Sequence, residues 1–251
     1  MKGLNIELLK FKNSFSMFVL FLSPLFFLMF AIFTALFAQG TSNKQELSPY
    51  LSLLFNLWPY FVVPIILCMA CNSLINIEKK NNVFNFYKSN NLSINMMINN
   101  KIITMVIGFG IHTIIIFFIS ILGNLLVGGN SINPFLILVT LFLIYLSSLP
   151  LIPINFLLVK YLGVFIAIFL NLALSIFSIL TLTTSKLFWL LPWSYAGRIA
   201  LITLSLHPNG TLLSKSNQYY NDLSSLLVIL ISTIAYFFVF YLLNNKESWR
   251  L

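Results

Sequence analysis

The residues able to do chemistry are few. The chain of 251 residues holds two histidines, His112 and His207, two cysteines, Cys68 and Cys71, and five acids. A zinc site needs at least three protein ligands, which two histidines cannot supply. The cysteines are spaced i, i+3 and share one helix face. With no further ligand nearby they read as small packing residues. His112 lies inside an apolar run, and no Asp or Glu stands in any such run to pair with it. At that depth it is expected to be neutral and to bond a backbone carbonyl or a serine. There is no acid–base pair for an intramembrane enzyme and no embedded carboxylate for ion-coupled transport. Nor is there a glycine-rich phosphate loop. No catalytic, metal or cofactor site is expected, and any uphill work must draw on ATP used by another subunit.

These side chains are carried on a frame built for lipid. Hydrophobic residues make up 59% of the chain against 8% charged, with a mean hydropathy of +0.97. Soluble domains carry about 25% charged residues. Runs of roughly 20 apolar residues cross a bilayer as helices. Such runs predict an all-α integral membrane fold with six transmembrane helices, at 17–38, 54–77, 102–127, 134–159, 161–183 and 223–243, forming one domain over 1–251. The first run is too long for a signal peptide and no clear cleavage site follows it. Pro59 and Pro64 interrupt the second span, and Pro150 and Pro153 lie near the end of the fourth. Lys160 marks the turn into the fifth. Residues 128–133 form a short uncharged turn. Trp58 and Tyr60 suit an interfacial aromatic belt.

Orientation follows from the basic residues. With both ends inside, Lys2, Lys10, Lys12, Lys79, Lys80, Lys88, Lys101, Lys160, Lys246 and Arg250 are cytoplasmic, while Lys44, Lys186, Arg198 and Lys215 are outside. Ten against four obeys the positive-inside rule, and the inverted arrangement breaks it. The net charge of +9 therefore reports topology and contact with anionic lipid, not nucleic acid. Asn outnumbers Ala by 24 to 9, which fits an AT-rich bacterial source and so a bacterial inner membrane.

Three flanking segments stand out. Residues 1–16 place Leu4, Leu8, Phe11 and Phe15 at helical spacing with Glu7, Lys10 and Lys12 between them, as in an amphipathic helix on the cytoplasmic surface. Residues 78–101 set Phe84, Phe86 and Tyr87 among Glu78, Lys79, Lys80 and Lys88, which suits docking in a groove of a soluble partner or, equally simply, a solvated loop. Residues 185–222 are too apolar for a free loop. They are expected to form short interfacial helices with Trp189, Trp193 and Tyr195 at headgroup level.

Two patches carry a resemblance. One is Ile77-Glu78-Lys79-Lys80-Asn81-Asn82, followed by the aromatic cluster, Lys88-Ser89 and Lys101. The other is Leu191-Pro192-Trp193-Ser194-Tyr195, then Arg198, then His207-Pro208-Asn209-Gly210. With the six-span layout they resemble ABC-2 type (type V exporter-like) permeases, and within them the permease subunits of lantibiotic-immunity ABC transporters. Asn-rich residues stand where the family has a proline after its coupling helix. The resemblance implies a coupling role for Glu78, Lys79, Lys80, Phe84, Phe86, Tyr87 and Lys88. It implies an outer gate at Trp189, Pro192, Trp193, Arg198, His207, Pro208, Asn209 and Gly210. It also implies two copies of a separate ATPase, a second related permease or a second copy of this chain, and a cationic antimicrobial peptide expelled for self-immunity. An ABC-2 permease with another hydrophobic cargo and a non-transporting membrane sensor are the alternative readings.

Overall fold

In the computed structural model of the chain, residues 2–37, 47–128, 133–214, 222–246 and 249 are described. The expected loop around Lys44 and Glu46, most of the 128–133 turn, Lys215 and the tail residues Glu247 and Arg250 lie outside that set.

Helix α6 (Ile94–Leu126) sets the frame. Ser93 caps it by accepting a hydrogen bond from the Met96 amide. At 33 residues it is about 50 Å long, well beyond a hydrocarbon core of about 30 Å. Helices α1 (Lys2–Lys12) and α2 (Phe15–Phe37) run beside it in the same direction. Phe11 packs over Gly108, where a side chain would collide with its ring, and the Leu20 carbonyl meets His112. The next stretch returns in the opposite sense: α3 (Pro49–Leu57), a π-turn (Trp58–Val62) and α4 (Val63–Lys80). Its contacts descend α6 in order, from Tyr50 on the Ile119 carbonyl, through Trp58 on His112, to Glu78 on Lys101. Pro59 does not break this stretch. Lacking an N–H, it is absorbed in a wider turn, where the Val63 amide reaches back five residues to the Trp58 carbonyl.

A turn through Asn82, whose φ is 53°, leads into the seven-residue helix α5 (Val83–Ser89). Beyond α6, α7 (Pro134–Ser148), α8 (Leu151–Phe177) and a second π-turn (Ser178–Leu182) form one helical stretch of 49 residues. It is not straight. The Asn171 amide donates to Asn155 Oδ1 at 2.7 Å, although sixteen residues of helix would span about 24 Å. The chain doubles back at Gly163, midway between them, with φ 76° and ψ 169°. That conformation is essentially glycine's alone. The turn expected at Lys160 therefore lies three residues later. Lys160 stays helical, with its ammonium over the Tyr161 and Trp249 rings.

The segment expected at the outer interface goes inside instead. Two short 3₁₀ turns, Phe188–Leu190 and Pro192–Ser194, lead into α9 (Tyr195–Thr203). Every residue from 192 to 202 is buried. A helix apolar all round has no face to give to water, and this one plugs the bundle. Trp193 and Tyr195 are internal; Trp189, 44% exposed, is the one of the three at the surface. Trp58 and Tyr60 are likewise buried, not in a belt, because both make polar contacts inside the bundle. The plug leaves through a turn closed by pairing of Leu206 with Leu212.

Helix α10 (Leu223–Lys246) completes the bundle. Asn95 donates to the Asn245 carbonyl, and Trp249 Nε1 donates to the Asn244 carbonyl. Both ends of the described chain thus lie at the end of the bundle that carries α5. The described residues are all-helical apart from the Leu206–Leu212 bridge, with five helical stretches long and apolar enough to cross a membrane.

Candidate functional site

At the α5 end, four charged side chains meet out of water. Glu7 and Lys10 stand one turn apart on α1, Glu78 is in the last turn of α4, and Lys101 is two turns into α6. Lys101 Nζ lies 2.6 Å from both Glu7 Oε2 and Glu78 Oε1. Lys10 Nζ lies 2.8 Å from Glu78 Oε1 and 3.1 Å from Glu7 Oε1. Glu78 and Lys101 are fully buried and Glu7 nearly so. Two carboxylates and two ammoniums leave the group neutral, the condition for holding charge in a place this dry. Burial alone would lower the Lys10 ammonium, but Glu78 and Glu7 outweigh it and hold it above its ordinary value. The quartet ties α1, α4 and α6 together directly beneath α5. Glu7 was expected on the water-facing side of α1. It points inward because Lys101 supplies a counter-charge there, while Ile6 and Leu9 are the exposed residues.

The predicted coupling residues divide around this floor. Glu78 belongs to the quartet. Phe84 is buried and roots α5 in the core, with Val83 and Tyr87 packed partly beside it. Phe86 is 57% exposed, and Lys79, Lys80 and Lys88 are exposed with it. Lys12 and Lys246 are exposed at the same end. Both described acids there, Glu7 and Glu78, are consumed internally. The described surface at this end therefore shows positive charge and one bare phenyl ring.

The opposite end holds the predicted gate residues. Pro192 and Trp193 are buried, and Trp193 Nε1 donates to Asn171 Oδ1 at 3.0 Å. Arg198 donates to the Thr183 carbonyl, to Asp222 Oδ2 and to Ser225 Oγ, and lies over the Phe188 ring. It joins the plug to the second π-turn and to the start of α10. Burial would raise the Asp222 carboxyl, but bonds from Ser224 and Ser225 and the Arg198 charge hold it below the ordinary carboxylate range. A cavity of about 550 Å³ opens beside this group, lined by Lys186, Phe188, Trp189, Arg198, Asp222 and Ser224. His207-Pro208-Asn209-Gly210 forms a self-contained turn. His207 accepts from the Asn209 amide, Asn209 accepts from Thr211, and Gly210 takes a φ of 86°. Gate residues 189–198 are thus brought together, and 207–210 stand apart at the surface.

Sequence reasoning missed Glu7, Lys10 and Lys101 as partners of Glu78, and Asp222 as the partner of Arg198. The only local signal was the one-turn spacing of Glu7 and Lys10. Cys68 and Cys71 are both buried and unbridged, and no group of three metal-ligating side chains occurs among the described residues. No family model, curated protein or solved structure matches the chain.

Proposed function

We propose that this chain is a permease subunit whose energy comes from a separate ATPase docking at the α5 end. The observation that carries the reading is the division of α5: Phe84 rooted in the bundle over a rigid ion quartet, Phe86 presented outward among Lys79, Lys80 and Lys88. A short helix that is fixed below and offers an aromatic anchor within a cationic rim suits a groove in a soluble partner. The anchor is Phe86; Glu78 and Phe84 transmit the motion. The 49-residue stretch, doubled back at Gly163, counts as two passes, making six in a bacterial inner membrane with both ends cytoplasmic. The partner ATPase acts as two copies, with a second permease of the same kind or a second copy of this chain. The cargo, a cationic antimicrobial peptide removed for self-immunity, rests on the resemblance at 191–195 and 207–210.

The test is vanadate-sensitive ATP hydrolysis by the complex reconstituted from this chain and its ATPase. Phe86→Asp is expected to abolish the stimulation that the wild-type permease gives, while Trp189→Ala at the opposite end leaves it intact. Full stimulation by Phe86→Asp refutes the docking assignment. A chain that pairs with no ATPase returns the sensor reading.

A further inference from the structure

Pro24 lies inside α2 and has no N–H, so the carbonyl four residues earlier, that of Leu20, loses its helical donor. A bare carbonyl deep in an apolar bundle needs another partner. His112 Nδ1 lies 2.8 Å from it. On the other side of the ring, Trp58 Nε1 lies 2.9 Å from His112 Nε2. An indole N–H can only donate, so Nε2 must accept. The tautomer is thereby fixed: His112 is neutral, carries its proton on Nδ1, and donates it to Leu20. One buried histidine satisfies a proline break in α2 and fixes the first residue of the π-turn that absorbs Pro59.

That π-turn reaches the plug. Two residues after Trp58, the Tyr60 hydroxyl donates to Thr183 Oγ1 at 3.2 Å, at the end of the second π-turn. Thr183 Oγ1 in turn donates to the Ser178 carbonyl, and the Thr183 carbonyl accepts from Arg198 of the plug. Gly197 lies so close to Tyr60 that a Cβ added there would overlap the phenol oxygen. Both irregular turns and the plug therefore meet at Tyr60. π-Turns inside α-helices are places where a helix can shift register, and they recur at functional sites.

We propose that His112 is a positioning residue that pins the Trp58–Val62 π-turn to the proline break of α2 and so holds the 188–203 plug closed. Loss of the pin releases Tyr60 from its set position and opens the plug. The plug's part in transport rests on the permease reading, but the test reads this chain alone. A failure here is therefore distinguishable from a failure of ATPase docking.

The experiment places a reporter at Ala200→Cys, buried in α9, in a Cys68→Ala, Cys71→Ala background. Its labelling rate by a small, charged methanethiosulfonate reagent is measured in proteoliposomes. Trp58→Phe removes the donor to Nε2, and His112→Leu removes both bonds. Each is expected to raise the labelling rate about tenfold, the equivalent of one buried hydrogen bond. His112→Gln keeps a donor and an acceptor and is expected to stay within about threefold of wild type. Ile116→Ala, one turn along α6, opens a cavity without touching the pin and is expected to change little. Unchanged labelling in Trp58→Phe overturns the proposal, including where His112→Leu fails to fold. An equal rise in Ile116→Ala also overturns it, because the plug would then respond to any loosening of α6.

Discussion

Lys101 is the test of whether the ion quartet is a structural floor. Its ammonium lies 2.6 Å from two carboxylates and is fully buried, whereas the Lys10 side chain is 28% exposed. Lys101→Met removes one positive charge and leaves Glu7 and Glu78 sharing Lys10 alone. Leaving a buried charge uncompensated costs about 3–5 kcal/mol. Lys10→Met removes a partner that solvent already screens, and the expected loss is about 1 kcal/mol or less. The pair Lys101→Met, Glu78→Gln takes away one charge of each sign and leaves Glu7 with Lys10. Its cost should fall to about 1–2 kcal/mol, a coupling of roughly 2 kcal/mol or more between the two sites. Equilibrium unfolding in mixed detergent micelles, followed by tryptophan fluorescence, measures all three. If Lys101→Met costs no more than Lys10→Met, or if the double variant is the sum of its parts, the four groups do not act as one buried unit.

Three further outcomes follow from the same geometry. Gly163→Ala forces a side chain onto φ 76° and ψ 169°, and is expected to cost about 1–3 kcal/mol in the same unfolding assay, although open space surrounds the position. Asn171→Leu strands the Trp193 indole N–H and the Asn155 carbonyl oxygen inside the bundle, and should cost about 1–3 kcal/mol, whereas Thr181→Val at an exposed position should cost under about 0.5 kcal/mol. Because the Asp222 carboxyl is held below its ordinary range, its contribution stands in full above about pH 4 and is lost as pH falls through the lowered value. Asp222→Asn should therefore be less stable than wild type at neutral pH and converge on it in strong acid; a constant gap across that range would exclude the linkage.

The helices were legible because uninterrupted apolar runs have few other ways to satisfy their backbone in lipid. What escaped was set by partners distant in sequence. Glu7 reads as a surface charge until Lys101, 94 residues away, is placed beside it. Lys160 drew the turn toward itself as the one charge in a long apolar run, but the reversal needs a backbone conformation and Gly163 supplies it. The apolar 185–203 segment could be refused as a free loop; its inward path depends on Asn171, Thr183 and Asp222 receiving it. For His112, a backbone carbonyl partner was foreseeable, and Pro24 even marks which carbonyl of α2 lacks a donor. Nothing local to either residue says that α2 and α6 meet there.

The central claim is that α5 presents Phe86 to an ATPase, and affinity purification tests it most directly. The tagged chain is isolated in mild detergent from the cells that make it, and the co-purifying subunit is identified by sequence and by nucleotide binding. A P-loop ATPase at one copy per permease chain, retained by Trp189→Ala and lost with Phe86→Asp, is the predicted result. A P-loop ATPase that stays at wild-type yield with Phe86→Asp, or none at all with the wild-type chain, contradicts it.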